Sequence, residues 1–279
     1  MPLRELQYPT EPYSKVNRYK ERADYSLETI HRIVNSCPIL HVSFQTPDSP
    51  FPAVLPMIGK MGSFSRPSAD LGEVLDLYLH GYVSSRIMKT ARSTAETKTE
   101  TEMEGGGGGG GLPVTVAASH LDGLVLALTP NSHSYNYRSA VLFGHAVPVT
   151  DPAEKLYAME LVTDGVVPGR WARTRVPPNA AEMQSTGVLR VRVTAGSAKI
   201  RSGGPSDGRG DRGDEALLDR VWTGVVPVYT VMGEPVPGGY NRVTEVPRYL
   251  EEWRVEANKE AEEFAKEAVK EAAAEKAKE

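Results

Sequence analysis

The chain has 279 residues and a formal net charge of -4, which gives no electrostatic basis for wholesale nucleic-acid binding. Hydrophobic residues make up 40% and charged residues 24%, an ordinary balance for a folded soluble protein. The single cysteine, Cys37, excludes an intrachain disulfide framework and suits a reducing, cytoplasmic compartment. The first residues lack the apolar run of a secretory signal, and no apolar stretch reaches the roughly 20 residues of a membrane helix.

Residues 1–17 read as a polar N-terminal arm. Ser26 can cap a first helix, Glu28 suits its positive end, and Leu27, Ile30, Ile33 and Val34 share one face. Pro38 ends it. Short β-like runs follow at 38–44, 52–58 and 74–79, the last alternating Leu75, Leu77 and Leu79 with Val74, Asp76 and Tyr78. Ser84 and Ser85 then open a short basic helix. Residues 94–111 are acidic and Thr-rich, then all glycine from 105 to 111, and are expected to form a disordered insert that cannot offset its ordering entropy.

Strands resume at 113–118, 124–128 and 140–149. Asp151-Pro152-Ala153-Glu154 is a helix start, and Asn179 with Glu182 a second one. Residues 188–193 and 221–228 are further strands. A linker at 231–248 precedes residues 249–279, which are Ala, Glu and Lys-rich and favour helix. The thin stripe of Trp253, Ala257, Ala261, Phe264 and Ala268 suggests a solvated or partner-packed helix rather than a core one. Many short strands with few helices predict a mainly β barrel or sandwich with helical additions.

Three constellations could carry chemistry. In the first, Leu77-Tyr78-Leu79-His80-Gly81-Tyr82-Val83-Ser84-Ser85-Arg86, a strand ends in His-Gly and two serines and an arginine begin a helix. Free amides at a helix start, hydroxyls and a guanidinium suit a phosphate, although a capped helix with a solvated basic face would read the same way. The second is Ser132-His133-Ser134-Tyr135-Asn136-Tyr137-Arg138-Ser139, polar without an acid. It suits a planar, anionic ligand or, more plainly, a polar hairpin. The third, around Lys199 and Arg201, sets two cations on one side of an extended segment. No nucleophile elbow, nucleotide P-loop or zinc spacing is present.

In this order the motifs resemble the pyridoxamine 5'-phosphate oxidase-like flavin-nucleotide-binding proteins, particularly the nitroimidazole-resistance (Nim-type) branch. The resemblance runs through Arg18-Tyr19-Lys20-Glu21-Arg22, LYLHGYVSSR, HLDGLVLALTPNSHSYNYRSAVLFGHAVPV, VPGRW, SAKIRSGGP and VWTGVVPV, roughly residues 18–230. It implies a split β-barrel holding FMN at a homodimer interface and a flavin-dependent oxidoreductase acting on a small organic substrate. By position, Ser84, Ser85 and Arg86 would hold the phosphate with Lys199 or Arg201 assisting. His80 and Gly81 would lie along the flavin, Tyr137, Arg138 and Ser139 would line the cofactor or dimer seam, and His80 or His133 would transfer protons. Tyr135, Tyr137, Phe143 and Trp222 are expected interface aromatics. The alternatives are a haem-binding split barrel, with His80 or His133 as axial ligand, and a non-catalytic flavin-binding or interaction protein.

Overall fold

The computed structural model describes residues 5–101 and 110–270. In chain order its elements are β1 (Ala23–Asp24), α1 (Leu27–Ser36), β2 (Leu40–Phe44), β3 (Ala53–Gly62), β4 (Asp76–Tyr82) and α2 (Arg86–Thr101). Then come β5 (Leu112–Leu126), β6 (Ser134–Pro148), α3 (Pro152–Val166), α4 (Ala180–Ser185) and β7 (Thr186–Arg201). The last are α5 (Glu215–Leu218), β8 (Gly224–Pro227) and α6 (Arg248–Lys270).

The strands run β7-β4-β3-β2-β5-β6, and β6 pairs back onto β7. That closes a six-strand antiparallel barrel, with β1 added beside β7 and β8 beside β5. Closure removes the unpaired edges that an open sheet would expose. Of the described residues, those up to Ser119 and from Ser139 to Lys199 form one compact unit, which holds the barrel. Those from His120 to Arg138 and from Ile200 onward form a second.

In the first unit the expected caps are built. The Ser26 hydroxyl accepts from the Thr29 amide, the Asp151 carboxylate accepts from the Ala153 and Glu154 amides, and Asn179 and Glu182 complete a capping box. Inside the barrel, Leu40, Val42, Leu77, Leu79 and Val191 are buried. The outer face of β3 divides in two. Its far end meets α3, where an added Cβ on Gly62 would strike Leu161 and Tyr157, and Tyr78 of β4 is buried there with Ala158 and Val188. The near end, Val54, Pro56 and Ile58, is exposed, as are His41 of β2 and His80 and Tyr82 of β4. Ile58 pairs with His80 and Pro56 with His41.

A polar cluster anchors α3 to the barrel wall. The Tyr78 hydroxyl donates to Glu154 Oε1 at 2.9 Å and Arg190 Nη1 donates to the same oxygen at 2.8 Å. Burial raises the Asp76 pKa above the usual carboxylate range, with Arg190 opposing. Cys37 is buried, as expected of a small apolar side chain.

The second unit contains the tip of the β5–β6 hairpin, β8 and α6. Gly123↔Pro227 and Leu124↔Val226 pair β5 with β8. Here α6 is packed rather than solvated: Ala265 and Ala268 are buried, and the Arg138 guanidinium lies 3.6 Å from the Phe264 ring centroid. Phe264 thereby gains a cation–π partner that its sequence neighbourhood does not announce.

Three expectations are revised. The runs 113–118 and 124–128 are one strand, because β2 pairs with its first half and β8 with its second. The strand expected from 140 begins at Ser134, so the polar stretch 134–139 is its first part. The helix after Ser85 continues to Thr101, into the segment expected to be disordered, since no Gly or Pro interrupts it there. The core of that insert, 102–109, and the end of the C-terminal helix, 271–279, lie outside the described residues.

His31 gives the fold a pH dependence. It is fully buried, accepts from the Tyr8 hydroxyl at 2.6 Å through Nε2, and donates from Nδ1 to the Leu71 carbonyl at 2.8 Å. Burial lowers its pKa from 6.5 to about 4 and raises that of the Tyr8 phenol. An unfolded chain therefore takes up a proton that the folded chain refuses. His31 should cost no stability above pH 6.5 and about 3 kcal/mol as the pH falls from 6.5 towards 4. Urea unfolding of wild type and His31→Gln across this range checks it: the difference between the two should change with pH. A constant difference would refute the assignment.

Candidate functional site

The strongest candidate lies where β4 ends and α2 begins. Tyr82 pairs with Thr186 at the start of β7, and the Val83 amide donates to the Ser185 carbonyl at 3.1 Å. A turn follows, closed by the Ser85 amide donating to the Tyr82 carbonyl at 2.9 Å. The Lys89 amide then donates to the Ser85 carbonyl, so Ser85 is the residue from which α2 springs. The first-turn amides of a helix have no carbonyl behind them and carry the positive end of its dipole.

Ser85 Oγ is buried and has no hydrogen-bond partner, although a serine before a helix ordinarily caps it. A buried hydroxyl left without a partner is costly, and its place at a helix start fits an absent anionic acceptor. Ser84 and Arg86 are exposed beside it. Sequence reasoning missed Asp48, between β2 and β3. Thr46 and the Asp48 backbone, with added attraction from Arg86, hold its carboxyl below the usual range. Nothing in the local sequence marks Asp48 as a neighbour of Arg86.

His80 and Gly81 precede this turn. A Cβ on Gly81 would lie 3.4 Å from Met57 Cε and 3.9 Å from Ser85 Oγ. His80 sits on the uncovered outer face, where partial desolvation holds its pKa below the ordinary histidine value. A neutral imidazole can accept a proton or ligate through a lone pair. The structure thus brings Gly81 and Ser85 together with Ser84 and Arg86 beside them, whereas the His80 side chain leaves β4 on the opposite, outer face.

It does not bring Lys199 to them. Thr186 pairs with Tyr82, but Lys199 lies at the opposite end of β7, paired with Ala23. There the Lys199 Nζ lies 5.7 Å from the Tyr19 ring centroid, with Arg22 at 4.2 Å and Arg18 at 5.0 Å. The Ser139 hydroxyl donates to the Lys199 carbonyl at 3.0 Å. Within one chain, Lys199 cannot assist a phosphate at Ser85.

The remaining residues fall in the second unit, engaged in internal bonds. Arg138 donates from Nε and Nη2 to both Asp122 oxygens, at 3.0 and 2.8 Å. Arg201 is buried and donates to Asn136 Oδ1 and, at 3.1 Å, to the Gly204 carbonyl. These cations satisfy acceptors of their own unit, a role that spacing alone does not separate from anion binding. His133 donates from Nδ1 to the Thr129 carbonyl at 2.9 Å, which leaves Nε2 with a lone pair when the ring is neutral. Tyr137 is half-buried and Tyr135 exposed.

Two clefts of the first unit contain none of these residues. One, of about 550 Å³, includes Lys60, Tyr157 and Asp164. Its lysine is lowered in pKa by burial and donates to the Asn35 carbonyl, closing the end of α1. The other, of about 400 Å³, includes Tyr13, Phe143 and His145.

A closed antiparallel barrel with helices on its wall and a serine-arginine turn into a helix defines a split-barrel protein. The chain belongs to the pyridoxamine 5'-phosphate oxidase family, whose profile matches residues 26–200. It is similar to the flavocytochrome Anf3 from Azotobacter vinelandii, with 26% identity over 88% of this chain and 97% of that one and a TM-score of 0.67. It is similar also to the FAD and heme binding protein from Mycobacterium smegmatis, with 26% identity over 84% and 97% and a TM-score of 0.63. A structure described as a 5-nitroimidazole antibiotic resistance protein from Bacteroides thetaiotaomicron matches at 17% identity over 64% and 86%, with a TM-score of 0.44. No curated protein matches the chain. Among the described residues no helix is long and apolar enough to cross a membrane, and no cluster of three metal-ligating side chains occurs.

The internal roles of the second unit's cations are testable. Arg201→Met should strip Asn136 and Gly204 of a buried donor and lower stability by about 2–3 kcal/mol. Lys199→Met, which removes a half-buried amine, should leave the urea midpoint almost unchanged. Equal midpoints for the two variants would contradict the assignment.

Proposed function

We propose that the chain is a cytoplasmic flavin-binding protein that holds the FMN phosphate at the start of α2 and works as an oxidoreductase on a small organic substrate. The observation that carries this reading is the unpartnered, buried Ser85 Oγ at a helix start, with Ser84 and Arg86 beside it. A phosphate oxygen there would satisfy the hydroxyl and the first-turn amides, and the Arg86 guanidinium would neutralise a second oxygen. Bound flavin supplies hydride and electron transfer; the protein binds, orients and protonates. His80, exposed on β4 ahead of the turn and with its pKa lowered by partial burial, would be the residue that moves a proton at the substrate.

The reading includes a homodimer. Lys199 stands at the far end of β7 from Ser85, so a lysine contribution to the phosphate would come from Lys199 of the partner subunit. Tyr135 and Trp222 are exposed, as interface anchors of a free chain would be. Of the other two candidates, Tyr137 is half-buried and Phe143 packs edge-on against Tyr13 at 5.0 Å.

A second reading, haem binding, is favoured by His133. Its Nδ1–H is fixed on a backbone carbonyl, the arrangement that presents Nε2 to a metal. The two relatives at 26% identity carry both a flavin and a haem designation in their names.

The absorption spectrum of purified protein decides between them: two visible flavin bands with fluorescence are expected, and a Soret band would mark haem. Chromatography of the heat-released cofactor should give FMN, with FAD as the result that corrects the cofactor. Arg86→Ala should weaken flavin binding roughly 10- to 150-fold, the scale of a charge-assisted hydrogen bond. Unchanged affinity in the folded variant would rule out the α2 phosphate site.

A further inference from the structure

The chain ahead of β1 lays Tyr13 against the outer face of the barrel, beside Phe143 of β6. Their ring centroids are 5.0 Å apart and the ring planes meet at 68°. The turn that carries Tyr13 is fixed on both sides. The Ser14 and Lys15 amides donate to the Glu11 carbonyl at 3.0 Å, and the Val16 amide donates to the Tyr25 hydroxyl at 3.0 Å. Tyr13 is nevertheless 59% exposed. The two rings border the cleft of about 400 Å³ in the first unit.

The rest of this cleft is polar without being charged. Ser43 of β2 pairs with Thr115 of β5. Their neighbours Val42, Phe44, Val114 and Val116 are buried inside the barrel, so both hydroxyls stand on the outer face, opposite each other. Gln45 follows β2. Its Nε2 donates to the Ser49 carbonyl at 2.6 Å and to the Thr46 carbonyl at 3.3 Å, which commits the amide nitrogen and leaves Oε1 as the group available. Among the described residues, neither this oxygen nor the Ser43 and Thr115 hydroxyls enter a hydrogen bond. No Asp, Glu, Lys or Arg lines the cleft.

These features specify a guest. Two rings set at a steep angle offer a face and an edge to a further aromatic ring. Hydroxyls both donate and accept, whereas an amide oxygen only accepts, so the guest needs at least one N–H donor together with acceptors. An ion would leave water for a place without a countercharge, at considerable cost, so the guest is uncharged. A volume of about 400 Å³ falls within the usual range of small-molecule sites, roughly 300–1,000 Å³. Because the turn carrying Tyr13 is anchored, little ordering is needed on binding.

We propose that this cleft binds an uncharged, planar nitrogen heterocycle with an exocyclic amino or amide N–H, a ligand of the nucleobase type. It packs against Tyr13 and Phe143 and hydrogen-bonds to Ser43, Thr115 and Gln45 Oε1. The site is separate from the start of α2, because none of His80, Gly81, Ser84, Ser85 and Arg86 lines it. The inference therefore stands independently of the flavin reading.

Adenine is the probe, since it is uncharged at neutral pH and combines an amino donor with ring acceptors. Ligand-observed NMR on the full-length protein, with FMN in excess, should give a Kd of about 1 mM or below without release of FMN. N6,N6-dimethyladenine, which is planar but lacks the amino donor, should bind about tenfold more weakly. The double variant Ser43→Ala, Thr115→Val, verified as folded by circular dichroism, should lose about as much affinity for adenine. Tyr13→Phe should bind adenine as wild type does, because the ring and not the hydroxyl borders the cleft. No adenine binding to wild type, equal binding of the two purines, or unchanged affinity in the double variant would overturn the proposal. Adenine that displaces FMN would lie in the flavin site and overturn it as well.

Discussion

A barrel closes only where its last two strands can approach, and here that seam runs over Gly144. A Cβ at this position would stand 2.4 Å from the Arg192 carbonyl oxygen and 2.9 Å from Val191 Cγ1. Neither neighbour can yield, since one is backbone and the other belongs to the buried wall. Any side chain at 144 would force β6 and β7 apart. With the seam shut, β7 is held between β6 and β4, and the rest follows. Its first residue, Thr186, pairs with Tyr82, which fixes the turn carrying Ser84, Ser85 and Arg86.

Closure also decides which surfaces are left over. A closed sheet has one inside, filled by alternate residues, and one outside that helices can cover only in part. The helix α3 covers the outer wall at Gly62, Tyr78 and Val188, and its hold is polar as well as apolar, through Glu154 on Tyr78 and Arg190. The wall beyond, at Val54, Pro56, Ile58 and Tyr82, is uncovered. His80 lies on this uncovered side, because it follows Tyr78 by two residues on the same face of the strand.

The distribution of cations has a similar logic. In the second unit Arg138 and Arg201 each find acceptors within it, a carboxylate for one and an amide and a carbonyl for the other. A buried guanidinium without such partners would be prohibitively costly. In the first unit the cations of interest are exposed or half-buried: Arg86 beside Ser85, and Arg18, Arg22 and Lys199 around Tyr19. Only cations of the second kind retain the capacity to engage an external anion.

The sequence by itself determined what is local. Ser26, Asp151 and Asn179 with Glu182 act as caps because a cap needs only the residues of its own first turn. Strand positions were legible from alternation, and the ordered motifs from 18 to 230 identified the split-barrel family. The serine-arginine turn was readable because its geometry is a strand running directly into a helix. Tertiary structure decided everything that depends on distant partners. It joined 113–118 to 124–128 as one strand through β2 and β8, packed Phe264 of α6 under Arg138, and set Asp48 near Arg86. It also separated Lys199 from Ser85 along β7 and gave Arg201 to Asn136. A cation's spacing in sequence says that it can meet an anion; only the folded chain decides whether that anion is internal, because pairing depends on which acceptors the strand register brings within reach.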